Sequence, residues 1–342
     1  MNRPIHATQG RYAPPAPARE LTVTSADGAP LHVEEYGPGG APTVVLAHGW
    51  TCSIAFWAPV IRELSRDHRV IAYDQRGHGR SAPPPYGCYT TETLADDLAA
   101  VLDQTLATGP DGRREQAVVV GHSMGGMTIM AAARRPELRE RAAAVLMCST
   151  GAGALLAETL VVPTPRGRVR ERVHTLVLGS AAPLGRVTPV ARRVLRYVTM
   201  GRAATREMTD ACARIVHACP RRVRAQWGHM MGEMDLAADI GELTPPTAVI
   251  VGTADRLTPP VHAHRIVAAL PNSLGLIVLP GIGHMTPVEV PDTVADAIRG
   301  LVTDHLTDHL TDHLTDPAPA PAEASPKASA VADAATAKEP SA

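Results

Sequence analysis

Ser123 stands in the run Gly121-His122-Ser123-Met124-Gly125, with Val118-Val119-Val120 before it and the helical stretch MTIMAAA after Gly126. A G-x-S-x-G placed between an apolar strand and a helix is the sharp turn that lifts a serine above the end of a sheet. Glycine is needed at both flanks because side chains there would collide with the turn. The helix that follows directs its N-terminus, and the Met124 N–H, at developing negative charge. A serine hydroxyl is inert without a base and an orienter, which on such a scaffold come at the ends of later strands in the order serine, acid, histidine. After the TAVIV run (Thr247 to Val251) comes Gly252-Thr253-Ala254-Asp255, and after LIVL (Leu276 to Leu279) comes Pro280-Gly281-Ile282-Gly283-His284. The candidate catalytic residues are therefore Ser123, Asp255 and His284.

Each assignment has rivals among 15 histidines and many aspartates. His284 alone follows a late strand within a glycine-framed turn. His262 and His264 open a helical segment read as exposed, and His305, His309 and His313 fall in a repeat. The loop after the AVLM run is Cys148-Ser149-Thr150 and offers no carboxylate, which leaves Asp255 as the acid. A tetrahedral oxyanion needs a second N–H from the loop after the third strand. That loop is His48-Gly49-Trp50-Thr51, where Gly49 permits the turn and the Trp50 amide becomes the donor beside Met124. His48 reads as a structural hydrogen-bonding residue.

Composition removes several other chemistries. Lysine occurs only at Lys327 and Lys338, so no P-loop, Schiff-base or kinase-type lysine exists in the folded region. Against 33 Lys+Arg stand 34 Asp+Glu, which lacks the basic footprint of a nucleic-acid binder. Five cysteines without a C-x-x-C pair point to a reduced, cytoplasmic protein with buried thiols. The first residues contain no apolar signal region, and no run approaches the roughly 18 apolar residues of a membrane span. The expected partner is an apolar small-molecule acyl substrate, and no metal or organic cofactor is expected to be required.

The elements that must position these residues repeat as apolar strand, turn and amphipathic helix. Leu21 to Ser25 and Leu31 to Tyr36 flank Asp27-Gly28, a hairpin signal. Short buried-strand runs follow at Thr43 to Ala47, Arg69 to Tyr73, Ala117 to Val120, Ala144 to Met147, Thr247 to Val251 and Leu276 to Leu279, with helical spacing between them. This predicts an α/β fold whose doubly wound sheet is mainly parallel. The alternation breaks from 151 to 240, where 14 arginines face 7 carboxylates in helical stretches. The expected organisation is a flexible arm over 1–20, a core over 21–150 and 241–302, an inserted helical cap over 151–240, and a TDHL repeat with a disordered tail over 303–342. Within the insertion, Val190, Val194, Leu195 and Val198 recur on one side of a helix and Arg192, Arg193 and Arg196 on others. The apolar side is expected to face the pocket, and the cationic side to be a solvated surface, a steering surface or a lipid contact.

With these residues in place, the chain resembles the α/β-hydrolase superfamily over roughly 21 to 302. The His48-Gly49-Trp50 turn, Asp74-Gln75-Arg76-Gly77-His78-Gly79-Arg80-Ser81, GHSMGG, GTADRLTPP and GIGH match its motifs in order and spacing. The resemblance implies a structural role for Asp74, Arg76 and His78, and places the insertion where the family carries its helical cap. Members with aspartate at the turn, such as epoxide hydrolases and haloalkane dehalogenases, are disfavoured by Ser123, and the lyases that use a cap lysine by its absence. The expected activity is cleavage of a carboxylic ester through an acyl-enzyme. Cofactor-free perhydrolases, lactonases, thioesterases and carbon–carbon hydrolases resemble the same constellation, and a hydrolase-fold binding protein is the reading from another class.

Overall fold

The structure is a computed structural model that describes residues 10–83, 88–110, 112–162 and 167–306. Its centre is an eight-stranded sheet: β1 (Arg19–Thr24), β2 (Pro30–Tyr36), β3 (Thr43–Ala47), β4 (Arg69–Tyr73), β5 (Ala117–His122), β6 (Ala142–Cys148), β7 (Thr247–Gly252) and β8 (Ser273–Leu279). The spatial order is β1-β2-β4-β3-β5-β6-β7-β8. β1 and β2 form the hairpin, β2 meets β4 antiparallel, and every later pairing is parallel. β3 and β5 are buried along their whole length, as befits central strands covered by helices on both faces.

The covering helices are α1 (Ala58–Leu64), α2 (Thr91–Thr105), α3 (Met124–Ala131) and α4 (Pro136–Arg141), then, after the segment between β6 and β7, others close to the C-terminus. That segment carries α5 (Leu155–Glu158), α6 (Arg168–Leu178), α7 (Pro189–Thr199), α8 (Arg206–Ala218), α9 (Arg221–Glu233) and α10 (Ala237–Ile240). After β7 come α11 (Pro260–Ala269), α12 (Thr286–Glu289) and α13 (Pro291–His305). Two apolar clusters fill the two sides of the sheet, one around Val45, Leu98 and Met130, the other around Leu46, Trp57 and Ile298.

Chain direction around β3 decides where a ligand can enter. From β3 the chain passes to β4 on one side and later to β5 on the other, so a crevice opens beyond the carboxyl ends of β3 and β5. Ala47 pairs with Gly121, which places the Gly49-Trp50 loop beside the turn at Ser123.

One expectation changes. Residues 10–18 do not behave as a free arm: Ala13 is buried, Arg62 Nε donates to its carbonyl at 2.9 Å, and Arg11 pairs with Asp292 at 2.6 Å. The composition is Pro/Ala-rich, yet small apolar residues can dock wherever a groove fits them. The last helix reaches His305 and so includes the start of the TDHL repeat. Residues 1–9, His309, His313 and the rest of the tail lie outside the described residues.

Candidate active site

Ser123 forms the turn between β5 and α3 with φ 52° and ψ −115°. A non-glycine residue holds such a backbone at a cost of roughly 1–3 kcal/mol, so its surroundings must impose it. They do so from several sides. The Ser123 N–H donates to Cys148 O at 2.9 Å, while Ser123 O accepts from the N–H groups of Gly126 and Met127 and from Thr150 Oγ1 at 2.8 Å. The flanking glycines allow close approach: a Cβ on Gly125 would lie 2.1 Å from Ala47 O, and one on Gly121 only 2.5 Å from Gly125.

Asp255 and His284 come together from the loops after β7 and β8. His284 Nδ1 lies 2.8 Å from Asp255 Oδ2, and both residues are buried. Asp255 Oδ1 accepts from the Leu257 and Thr258 N–H groups at 2.9 Å each, which fixes its carboxylate. Thr258 Oγ1 adds a bond to Asp255 Oδ2 at 2.9 Å and lies 3.2 Å from His284 Nδ1. The main chain of His284 donates to Thr199 O, at the end of α7, at 2.9 Å.

Ser123 and His284 line one cavity of about 490 Å³. No hydrogen bond joins Ser123 Oγ to the imidazole among the described residues, and bonds of this kind commonly tighten only with substrate in place. Among those residues neither the Trp50 nor the Met124 main-chain N–H has an acceptor, while the Trp50 indole donates to Arg224 O at 2.9 Å. Thr51, next to Trp50, is a second non-glycine residue at positive φ, 60°.

The other polar residues of the crevice hold loops. His48 Nε2 accepts from Gln75 N–H at 3.0 Å, and its Nδ1 faces Gly49 O at 2.8 Å. Burial, with His78 nearby, lowers its pKa to about 3, and burial lowers that of His78 to about 4. Both are neutral scaffolding rather than proton carriers. Asp74 accepts from the Ile54 and Arg80 N–H groups at 2.8 Å, and Arg76 is paired with Asp97 and Asp27. Cys52 also lines the cavity, but burial pushes its thiol well above the ordinary range, so it supplies no thiolate.

A model of the alpha/beta hydrolase family matches residues 44–297. The chain belongs to that family. This α/β-hydrolase is 28% identical to the uncharacterised hydrolase YugF of Bacillus subtilis over 296 residues, 82% of the chain and 96% of YugF. It is 39% identical over 105 residues to the bifunctional esterase/perhydrolase DCH of Acinetobacter calcoaceticus, a match covering 30% of this chain and 35% of that one. Among solved structures, a thermophilic esterase from Thermogutta terrifontis superposes with a TM-score of 0.66 at 26% identity, covering 84% of this chain and all of the esterase.

The cavity of the hydrolase is walled largely by apolar side chains, including Met127, Leu155, Leu195, Val198 and Met231. The apolar stripe expected on α7 therefore divides. Leu195 and Val198 face the cavity, whereas Val190 and Val194 are 72% and 56% exposed. A stripe spread over i, i+4, i+5 and i+8 is wider than the strip a short helix can bury against one wall. His262, expected to be exposed, is buried against Gly151 because α11 packs that face inward. Among the described residues no helix is long and apolar enough to cross a membrane.

Three site residues escaped the sequence reading. Thr258 follows Asp255 by three positions, a spacing typical of side-chain-closed turns. Glu289, inside the apolar run before Pro291, accepts from the Gly201 and Gly283 N–H groups at 2.8 and 3.0 Å, and burial raises its pKa. His122 is the third, an ionisable ring inside the serine turn itself.

Proposed function

We propose that the chain is a serine hydrolase of carboxylic esters, acting through an acyl-enzyme. The observation that carries this reading is the buried 2.8 Å pair of His284 Nδ1 and Asp255 Oδ2, with His284 and Ser123 lining one apolar cavity. Ser123 Oγ attacks the ester carbonyl carbon while His284 Nε2 takes its proton. The carbonyl electrons move to oxygen, and the Trp50 and Met124 N–H groups, which lack acceptors among the described residues, stabilise that charge. Collapse breaks the bond to the alkoxide, which leaves with the proton from His284. Water then attacks the acyl-serine with His284 again as base, releasing the acid and restoring Ser123. Asp255 orients the imidazole and stabilises its charged form.

Helices α5 to α9 act in this reading as a cap over the serine, and their apolar residues select an apolar acyl chain. Free thiols at all five cysteines are in keeping with a reducing compartment. The likeness to DCH, an esterase/perhydrolase, supports a second acceptor: hydrogen peroxide in place of water would turn the same acyl-enzyme into a peracid. The test is labelling with a fluorophosphonate. Wild-type protein should be labelled on Ser123, and Ser123→Ala should lose the label together with roughly 10⁴- to 10⁶-fold of ester turnover. Turnover near the wild-type rate in Ser123→Ala would overturn the reading.

A further inference from the structure

Four arginines are buried among the described residues, and of these Arg224 alone lines the cavity, with Arg170 beside it donating to Ala157 O at 3.1 Å and to Thr159 O. Arg76 is neutralised by Asp97 and Asp27, and Arg141 has Asp103 at 3.4 Å. Arg224, on α9, differs. It is only 6% exposed, it lines the cavity, and it has no carboxylate partner among the described residues. Its Nη2 donates to Ser180 O at 3.1 Å and to Ala182 O, which accounts for one nitrogen of the guanidinium. Nε and Nη1 have no acceptor among the described residues, so three N–H donors remain. Nor does any aspartate or glutamate line the cavity among those residues.

A guanidinium held in an apolar wall without a counter-ion is costly, and the two main-chain carbonyl partners satisfy only part of its donor set. The same low-polarity surroundings make its attraction for an incoming anion strong, because little water competes. The main chain of Arg224 is also tied to Trp50. Its carbonyl accepts from the Trp50 indole at 2.9 Å, and Trp50 contributes the N–H read above as an oxyanion donor.

We propose that Arg224 is an anion-binding residue of the cavity, and that the ester cleaved here carries a carboxylate besides the scissile bond. The proposal rests on the hydrolase reading for the words ester and cleaved, and on Arg224 alone for the anion. The substrate is then mostly apolar, with one negative group matched to one guanidinium. Binding energy from a group remote from the carbonyl is available to position that carbonyl over Ser123.

The test uses matched pairs that differ only in charge. One pair is p-nitrophenyl hydrogen adipate and its methyl ester, with the carboxylate on the acyl side. The other is the butyrate ester of 4-hydroxybenzoic acid and its methyl ester, with the carboxylate on the leaving side. In wild type, kcat/KM should favour the acid member of at least one pair by roughly tenfold or more, as a charge-assisted hydrogen bond allows. That ratio should collapse to one or below in Arg224→Gln and be kept in part by Arg224→Lys, which retains charge but not the planar fork. A ratio unchanged in Arg224→Gln, with both members slowed alike, would overturn the proposal and leave Arg224 as a brace for the chain after α6. Calorimetry with adipate and adipamide on the wild-type protein requires neither turnover nor a folded variant. Adipate binding at least tenfold tighter than adipamide supports the subsite, even if no ester is cleaved and the hydrolase reading falls. Equal binding of the two overturns the subsite, even if neutral esters are cleaved well.

Discussion

His122 Nε2 donates to the main-chain oxygen of His284 across 2.9 Å, so the residue adjoining Ser123 holds the loop that carries its proposed base. The two imidazoles also touch, with centroids 4.9 Å apart, and Phe56 covers the other side of His122 at 4.5 Å. Because Nε2 carries the hydrogen, Nδ1 is the bare nitrogen, and it has no partner among the described residues. Burial, followed by the neighbouring His284, pushes the His122 pKa well below the ordinary imidazole range. It is therefore a neutral clamp. The bare nitrogen also accounts for Gly49, where a Cβ would lie 2.7 Å from it.

The clamp predicts a split between rate and folding. His122→Phe keeps a ring against Phe56 but leaves the His284 carbonyl without its donor. We expect kcat to fall by roughly five- to a hundredfold, the range of an unmade buried hydrogen bond, with KM much less affected. Steady-state kinetics on a neutral ester, read beside thermal melting, checks this. A lower melting temperature with kcat intact would assign His122 to packing alone.

The strained turn makes a second prediction. At φ 52° and ψ −115° Ser123 is held where glycine is at ease. Ser123→Ala keeps the strain, whereas Ser123→Gly releases it while adding some backbone entropy to the unfolded chain. We expect the glycine variant to be more stable than the alanine variant by about 1 kcal/mol, with both inactive. Denaturant melts of the two variants would decide it, and equal midpoints would mean that the turn carries no strain.

These features divide by how locally they are encoded. The succession of β3, β5, β7 and β8 along the chain was legible because apolar runs of four or five residues ending in glycine-bearing turns leave little choice. Ser123, Asp255, His284, Trp50 and Met124 were assigned from those turns, and the four loops that carry them follow parallel strands and so lie at one end of the sheet. His122, Thr258, Glu289 and Arg224 were not legible in that way. Their roles depend on partners 3 to 174 residues away, such as the bond from His122 to His284, and no spacing in the chain announces such a contact. The exposed half of the α7 stripe was misread for a related reason: periodicity defines an apolar face but not how much of it finds a wall.

The acid loop supplies a graded pair. Asp255→Asn can still accept from the Leu257 and Thr258 N–H groups, so the fold should persist, but the amide cannot stabilise an imidazolium. A loss of about 10⁴-fold in kcat is expected, as for other triads deprived of their carboxylate. Thr258→Val removes only the hydroxyl bonded to Asp255 Oδ2 and should cost about tenfold. If Thr258→Val were as damaging as Asp255→Asn, the hydroxyl rather than the carboxylate would be orienting His284.

The last prediction concerns stability at mildly acid pH, where His48 and His78, with pKa values lowered to about 3 and about 4, are joined by the depressed His122. In the unfolded chain each takes up a proton near pH 6.5, so below that value the unfolded state binds protons that the folded state refuses. Stability from these groups is therefore full above about 6.5 and falls as pH drops towards 4. Asp74 works the other way. Burial raises its pKa to about 6, so between about 6 and 4 the folded state holds a proton that the unfolded chain has released. Asp97 and Glu289, also raised by burial, act in the same sense. The histidines begin to act first, so stability should fall from about pH 7 to 6, and the three acids should offset part of the further loss below about 6. Urea midpoints at pH 7.5, 6.5 and 5.5 test the sign, and the gap between wild type and His78→Gln should narrow as pH falls, because only wild type loses the His78 contribution. Wild-type stability that stayed flat or rose from pH 7 to 6 would mean that the buried imidazoles are charged in the folded protein.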